Sequence, residues 1–172
     1  MKADVGIMAA RGADGYRQIL PCAIVACVNH LAFVVEPLDD GRPHVRTVLP
    51  VVDGVSLADL AAEFERSKGY EPAGGYGGLV PEFYSFGPLD DYYLGGGEYR
   101  GGPRRPLLCC TCGEWGCWPL MATIEASEGV VRWRDLEQPH REKRDYAGFG
   151  PFQFDRIDYE RAVSEMMAEL AS

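Results

Sequence analysis

The chain has 172 residues, with 17 Lys plus Arg against 26 Asp plus Glu, a formal charge of −9. That length suits one hydrophobic core, and 47% hydrophobic with 25% charged residues is a folding composition and not a disordered one. An acidic surface repels nucleic acid and anionic lipid alike, so the expected partner is a protein or a small molecule, with no nucleic acid and no membrane.

From the start, Met1 to Gln18 is mixed polar and lacks the apolar run of a secretory signal, which predicts a cytoplasmic chain. Ile19 to Val35 is uncharged over 17 residues, but Pro21, Asn29 and His30 interrupt it, and a membrane span needs about 20 apolar residues. Its Val, Ile and Phe content predicts strands at 22–28 and 31–36, joined by a turn at Asn29-His30. Cys22 and Cys27 fall in this apolar stretch as small hydrophobes. His44 to Val52 resumes a β-branched pattern after a polar turn.

Ser56 opens the first predicted helix. Asp59 follows in its first turn, and Leu57, Leu60, Ala61 and Phe64 keep helical spacing up to about Ser67. From 69 to 102 the chain holds 11 glycines and eight Tyr or Phe residues. Glycine weakens helix and strand, so an irregular segment is expected there, with its rings pinned on the core. No glycine run ends in the Gly-Lys-Ser/Thr of a phosphate loop. Arg100, Arg104 and Arg105 read as a solvated loop.

Leu120, Ala122, Ile124 and Ala126 alternate with Met121, Thr123, Glu125 and Ser127, the period of a strand with one buried face. A two-residue turn at Glu128-Gly129 sets Glu125 opposite Arg132 and Ile124 opposite Trp133, which keeps polar and apolar pairs on separate faces. The last predicted element is a helix capped by Asp155, with Tyr159, Ala162, Val163, Met166, Met167 and Leu170 on one stripe. Together these elements predict an α+β fold: one domain over 1–172, mainly antiparallel sheet built from hairpins, with two helices packed on one face.

Four of the six cysteines crowd into nine residues, Cys109, Cys110, Cys112 and Cys117. Gly113 and Gly116 let the backbone fold so that Cys110, Cys112 and Cys117 converge, and zinc takes four soft ligands in a tetrahedron. His140 is the candidate fourth ligand, with Cys109 as the alternative. Two other readings stand beside the metal: reduced cysteines packed as small hydrophobes, and thiol chemistry at an exposed thiolate. No Gly-x-Ser-x-Gly or His-Glu-x-x-His motif offers a different catalytic centre.

Three segments, Cys110-Thr-Cys-Gly-Glu-Trp-Gly-Cys-Trp-Pro-Leu120, Gln138-Pro-His-Arg141 and Phe149-Gly-Pro-Phe-Gln-Phe-Asp-Arg156, resemble a family of uncharacterised bacterial proteins over roughly 106–170. The resemblance implies a shared scaffold around the cysteine loop and no catalytic role. The sequence thus points to a small intracellular binding or interaction protein with a structural cysteine loop that zinc would suit. The alternative is a thiol-dependent or metal-dependent enzyme using the same cluster.

Overall fold

A computed structural model describes residues 28–38, 42–83, 87–96, 99, 102–114 and 116–172. Residues 22–27 of the first predicted strand, with Cys22 and Cys27, lie outside these residues, and Val28 is not in a strand. The fold is α+β, and the described residues form two antiparallel sheets and three helices. Among the described residues no helix is long and apolar enough to cross a membrane.

The smaller sheet has the order β1-β2-β3, from Leu31–Leu38, Arg42–Val52 and Val55–Ser56. β2 and β3 meet through Asp53-Gly54, where both residues have positive φ (52° and 82°), the conformation that lets a two-residue turn follow the strand twist. The expected turn at Asn29-His30 does not form. Asn29 instead bridges to Phe154, and Asn29 Nδ2 and the His30 N–H both donate to the Asp53 carboxylate, each at 2.7 Å. A nearby carboxylate acceptor thus draws these two residues across the hairpin end and away from a turn of their own.

The helix α1, Leu57–Ser67, follows directly. Ser56 Oγ accepts from the Asp59 N–H at 3.1 Å, a cap worth about 0.5–2 kcal/mol. Its buried face is Leu57, Ala61 and Glu65, so one carboxylate travels into the core with the apolar stripe.

The larger sheet has the order β4-β5-β6-β7-β8, from Tyr76–Gly77, Arg104–Cys110, Leu120–Ser127, Val130–Glu137 and Phe152–Asp155. β6 and β7 pair in the expected register, Glu125 with Arg132 and Ile124 with Trp133. The single buried face expected of β6 is not found: 120–124 are buried on both sides and 125–127 are exposed on both. The two sheets are stitched twice: Val48 of β2 exchanges backbone hydrogen bonds with Leu79, at 2.7 and 2.8 Å, and Asn29 bridges to β8. These bonds occupy backbone groups along strands that would otherwise be open.

The described residues of the glycine-rich segment include short elements. After β4 come a 3-10 turn at Pro81–Phe83 and a helix α2 at Leu89–Tyr93. Tyr76, Tyr92 and Tyr93 are buried, as core pinning requires, while Phe83 is exposed. Arg105 overturns the solvated-loop expectation. It lies within β5, buried, donating to the carbonyls of Tyr92, Gly95 and Gly96 at 2.7–2.8 Å. Three carbonyls solvate the guanidinium where water cannot, and the same bonds fasten the glycine run to the sheet.

The last helix, α3, runs Arg156–Leu170 from the Asp155 cap. Its Tyr159 joins the centre of the core: Trp133 Nε1 donates to Tyr159 Oη at 3.0 Å, and that hydroxyl donates to the Tyr93 carbonyl at 2.6 Å. Trp133 also packs edge-on to Phe154, with ring centroids 4.9 Å apart. One bonded chain therefore ties β7, α3 and α2 together.

Candidate metal site

Cys110 closes β5, opposite Tyr76 of β4, and the chain then folds into two tight turns before β6. Gly113 N–H donates to the Cys110 carbonyl at 2.8 Å, and Cys117 N–H to the Glu114 carbonyl at 3.3 Å. Gly113 has φ +85°, and a Cβ there would stand 3.1 Å from both Phe83 and Val80, so a side chain is excluded by conformation and by space. The Glu114 carboxylate accepts from the Gly116 N–H at 3.0 Å and closes the second turn on itself.

These turns bring the sulfurs of Cys110, Cys112 and Cys117 within 4.8 Å of one another. In a tetrahedral zinc site with Zn–S of about 2.3 Å, sulfurs stand about 3.8 Å apart, so side-chain rotation alone could close the set. Cys112 and Cys117 are exposed and Cys110 is half-buried. Packing as small hydrophobes therefore does not account for them.

Strand alternation separates Cys109 from this set. Its side chain is fully buried in the core, and its thiol donates to the Gly78 carbonyl at 2.7 Å. The packing reading describes Cys109 well. His140, from the segment after β7, stands beside the loop: its Nε2 lies 2.9 Å from the Gly116 carbonyl, and its backbone N–H donates to Gln138 Oε1 at 2.6 Å. It touches the backbone that carries Cys117 without joining the three sulfurs.

The thiols are electrostatically unequal. Burial raises Cys110, but the Cys112 N–H and side-chain bonds from Cys112, Cys117 and Thr111 outweigh it, and the net shift is downward. Cys117 moves upward, because it gives its hydrogen bond to Cys110 and is repelled by the thiolate there. Cys110 thus becomes a thiolate, the form that binds metal, before Cys117 does.

A second polar cluster holds the other side of β4, and the sequence reading missed it. Glu65, fully buried on α1, accepts from Tyr76 Oη and the Gly74 N–H at 2.6 Å each, and from Tyr146 Oη. Arg144 Nη1 lies 3.1 Å from Glu65 Oε1. Residues 57, 61 and 65 repeat at four-residue spacing, and a carboxylate in that register was the available signal. Thr111 N–H donates to the Gly75 carbonyl, so the backbone that Glu65 fixes also borders the cysteine loop.

No protein-family model matches the chain, and no curated protein or solved structure is significantly similar to it. The functional reading therefore rests on the site itself.

Proposed function

We propose that this chain is a small zinc-binding protein of the binding or interaction class, with Cys110, Cys112 and Cys117 as thiolate ligands and a fourth position left for an outside donor. The observation that carries the reading is the convergence of three sulfurs on an exposed loop. Burial gives no reason for the gathering, and soft thiolates suit zinc. An ion held there would tie the end of β5 to the approach of β6 and so staple the connection between them. His140 supports the loop through Gly116, as groups behind a metal ligand commonly do. The segments Cys110–Leu120 and Gln138–Arg141 meet at this contact, which favours the cysteine loop as the scaffold shared with the bacterial family it resembles.

The test is elemental analysis of reduced protein purified without chelator. About one equivalent of zinc is expected, and chelation should lower the melting temperature reversibly. A free zinc concentration of 100 times Kd would stabilise the fold by about 2.7 kcal/mol. Well under one equivalent, with no thermal response to added zinc, would remove the metal and leave three exposed thiols to be explained by thiol chemistry.

A further inference from the structure

A groove of about 630 Å³ opens beside the cysteine loop, between Gly69–Glu71 and Pro139–Arg144. Small-molecule sites commonly fall between about 300 and 1,000 Å³. Two stacked pairs stiffen its walls: the Arg141 guanidinium lies 4.1 Å from the Trp118 ring centroid, and that of Arg144 lies 5.3 Å from Tyr70. Arg144 is already matched, by Glu65 and by the Pro72 carbonyl at 2.7 Å.

Arg141 differs from it. Among the described residues neither Arg141 nor Lys143 forms an ion pair, although the chain has nine more acidic than basic residues. Glu71 and Glu142 border the same groove and form an ion pair with neither cation. The Nε of Arg141 and the Nη1 of Arg144 are both buried with no hydrogen-bond partner, but Nη1 of Arg144 faces the Glu65 carboxylate and Arg141, among the described residues, faces no carboxylate. Stacking on Trp118 holds the planar guanidinium of Arg141 in one orientation, with no carboxylate to neutralise it.

We propose that this groove binds a phosphoryl oxyanion, with Arg141 and Lys143 as its charged donors. Arg141 alone would satisfy the two oxygens of a carboxylate. The two ends of the Arg141 fork together with the Lys143 ammonium match the three terminal oxygens of a phosphoryl group better. Glu71 and Glu142 repel the dianion and hold its affinity down, which gives the proposal a second sign to check. The site uses none of the cysteines and does not depend on zinc.

The test is calorimetric titration of the full chain with inorganic phosphate, phenyl phosphate and benzoate. Saturable one-to-one binding of a phosphoryl ligand is expected, with benzoate about tenfold weaker or more. Tighter binding of phenyl phosphate assigns the site to a phosphomonoester, and equal binding assigns it to the free ion. Arg141→Gln and Lys143→Gln should each weaken binding about tenfold, and Glu142→Gln should strengthen it. Lys143 is exposed, so its variant keeps the test valid if loss of the Arg141 stack harms folding. No saturable binding up to about 10 mM, benzoate binding as tightly as phosphate, or indifference to Lys143→Gln would overturn the proposal.

Discussion

Two polar clusters flank the short strand β4 and differ in almost every physical respect. The Glu65 cluster is buried, and its carboxylate accepts from two tyrosine hydroxyls and a backbone N–H beside an arginine. The cysteine cluster is exposed, and its sulfurs have chiefly one another as partners. A polar group forced into a core must be satisfied from within, so the first arrangement is what folding itself demands. Water could have satisfied the exposed thiols separately. Their convergence therefore points to something the loop holds, and substitutions should separate the two clusters cleanly.

The largest effect belongs to the buried one. Glu65→Ala leaves Arg144 without its ion-pair partner and two buried hydroxyls without their carboxylate acceptor, and breaking such a pair costs about 3–5 kcal/mol. Glu65→Gln keeps an acceptor oxygen and should cost less. Chemical denaturation of the two variants checks this, and equal losses would show that the charge, and not the accepted bonds, is what matters. Trp133→Ala is expected in the same range, about 3–5 kcal/mol, because the ring is fully buried against Phe154 and Tyr159. A loss below about 1 kcal/mol would contradict the register that places Trp133 opposite Ile124.

That register was legible because period-two alternation and a Glu-Gly turn agree over 120–134, and both helices were legible from their caps and stripes. Where local patterns yield to distant partners, the sequence was silent. Arg105 looks like a loop cation until Tyr92, Gly95 and Gly96 supply carbonyls from another element. β8 is four residues long, too short for a period to declare itself, and exists by pairing with β7. At the site, spacing brought Cys110, Cys112 and Cys117 into one group. It could not show that Cys109 turns into the core, since that depends on β5 being a strand. Nor could it show that the Gly116 carbonyl occupies the Nε2 of His140.

A smaller and slower effect is expected on the alkaline side. Burial, with the bond to Glu65, pushes Tyr146 up to about 12, and Tyr76 moves in the same direction for the same reasons. An unfolded tyrosine titrates near about 10. Above that pH the unfolded chain sheds protons that the folded one keeps, so stability is fully present below about pH 10 and falls through about pH 12. The loss is up to about 1.4 kcal/mol per pH unit per group. Denaturation midpoints between pH 9 and pH 11.5 should show it, and Tyr146→Phe should flatten part of the decline. A decline of unchanged steepness in that variant would place the titrating group elsewhere.

The smallest effect on the metal-free fold is expected from the cysteine loop, and it sharpens the contrast between the clusters. Cys112 is exposed, and substitution at such a surface position usually changes stability by no more than about 0.5 kcal/mol. Cys112→Ser should therefore leave the melting temperature of chelator-treated, reduced protein nearly unchanged. The same change removes one of three thiolates, so it should abolish most of the thermal shift that zinc produces in the parent chain. Cys109→Ser should behave in the opposite way, destabilising the metal-free protein by placing a hydroxyl in the core while leaving the zinc response intact. If Cys112→Ser destabilises the metal-free chain as much as Cys109→Ser does, the loop is held by packing like the rest of β5. If zinc stabilises parent and variant equally, Cys112 is not a ligand, and the metal reading would need a different set of donors.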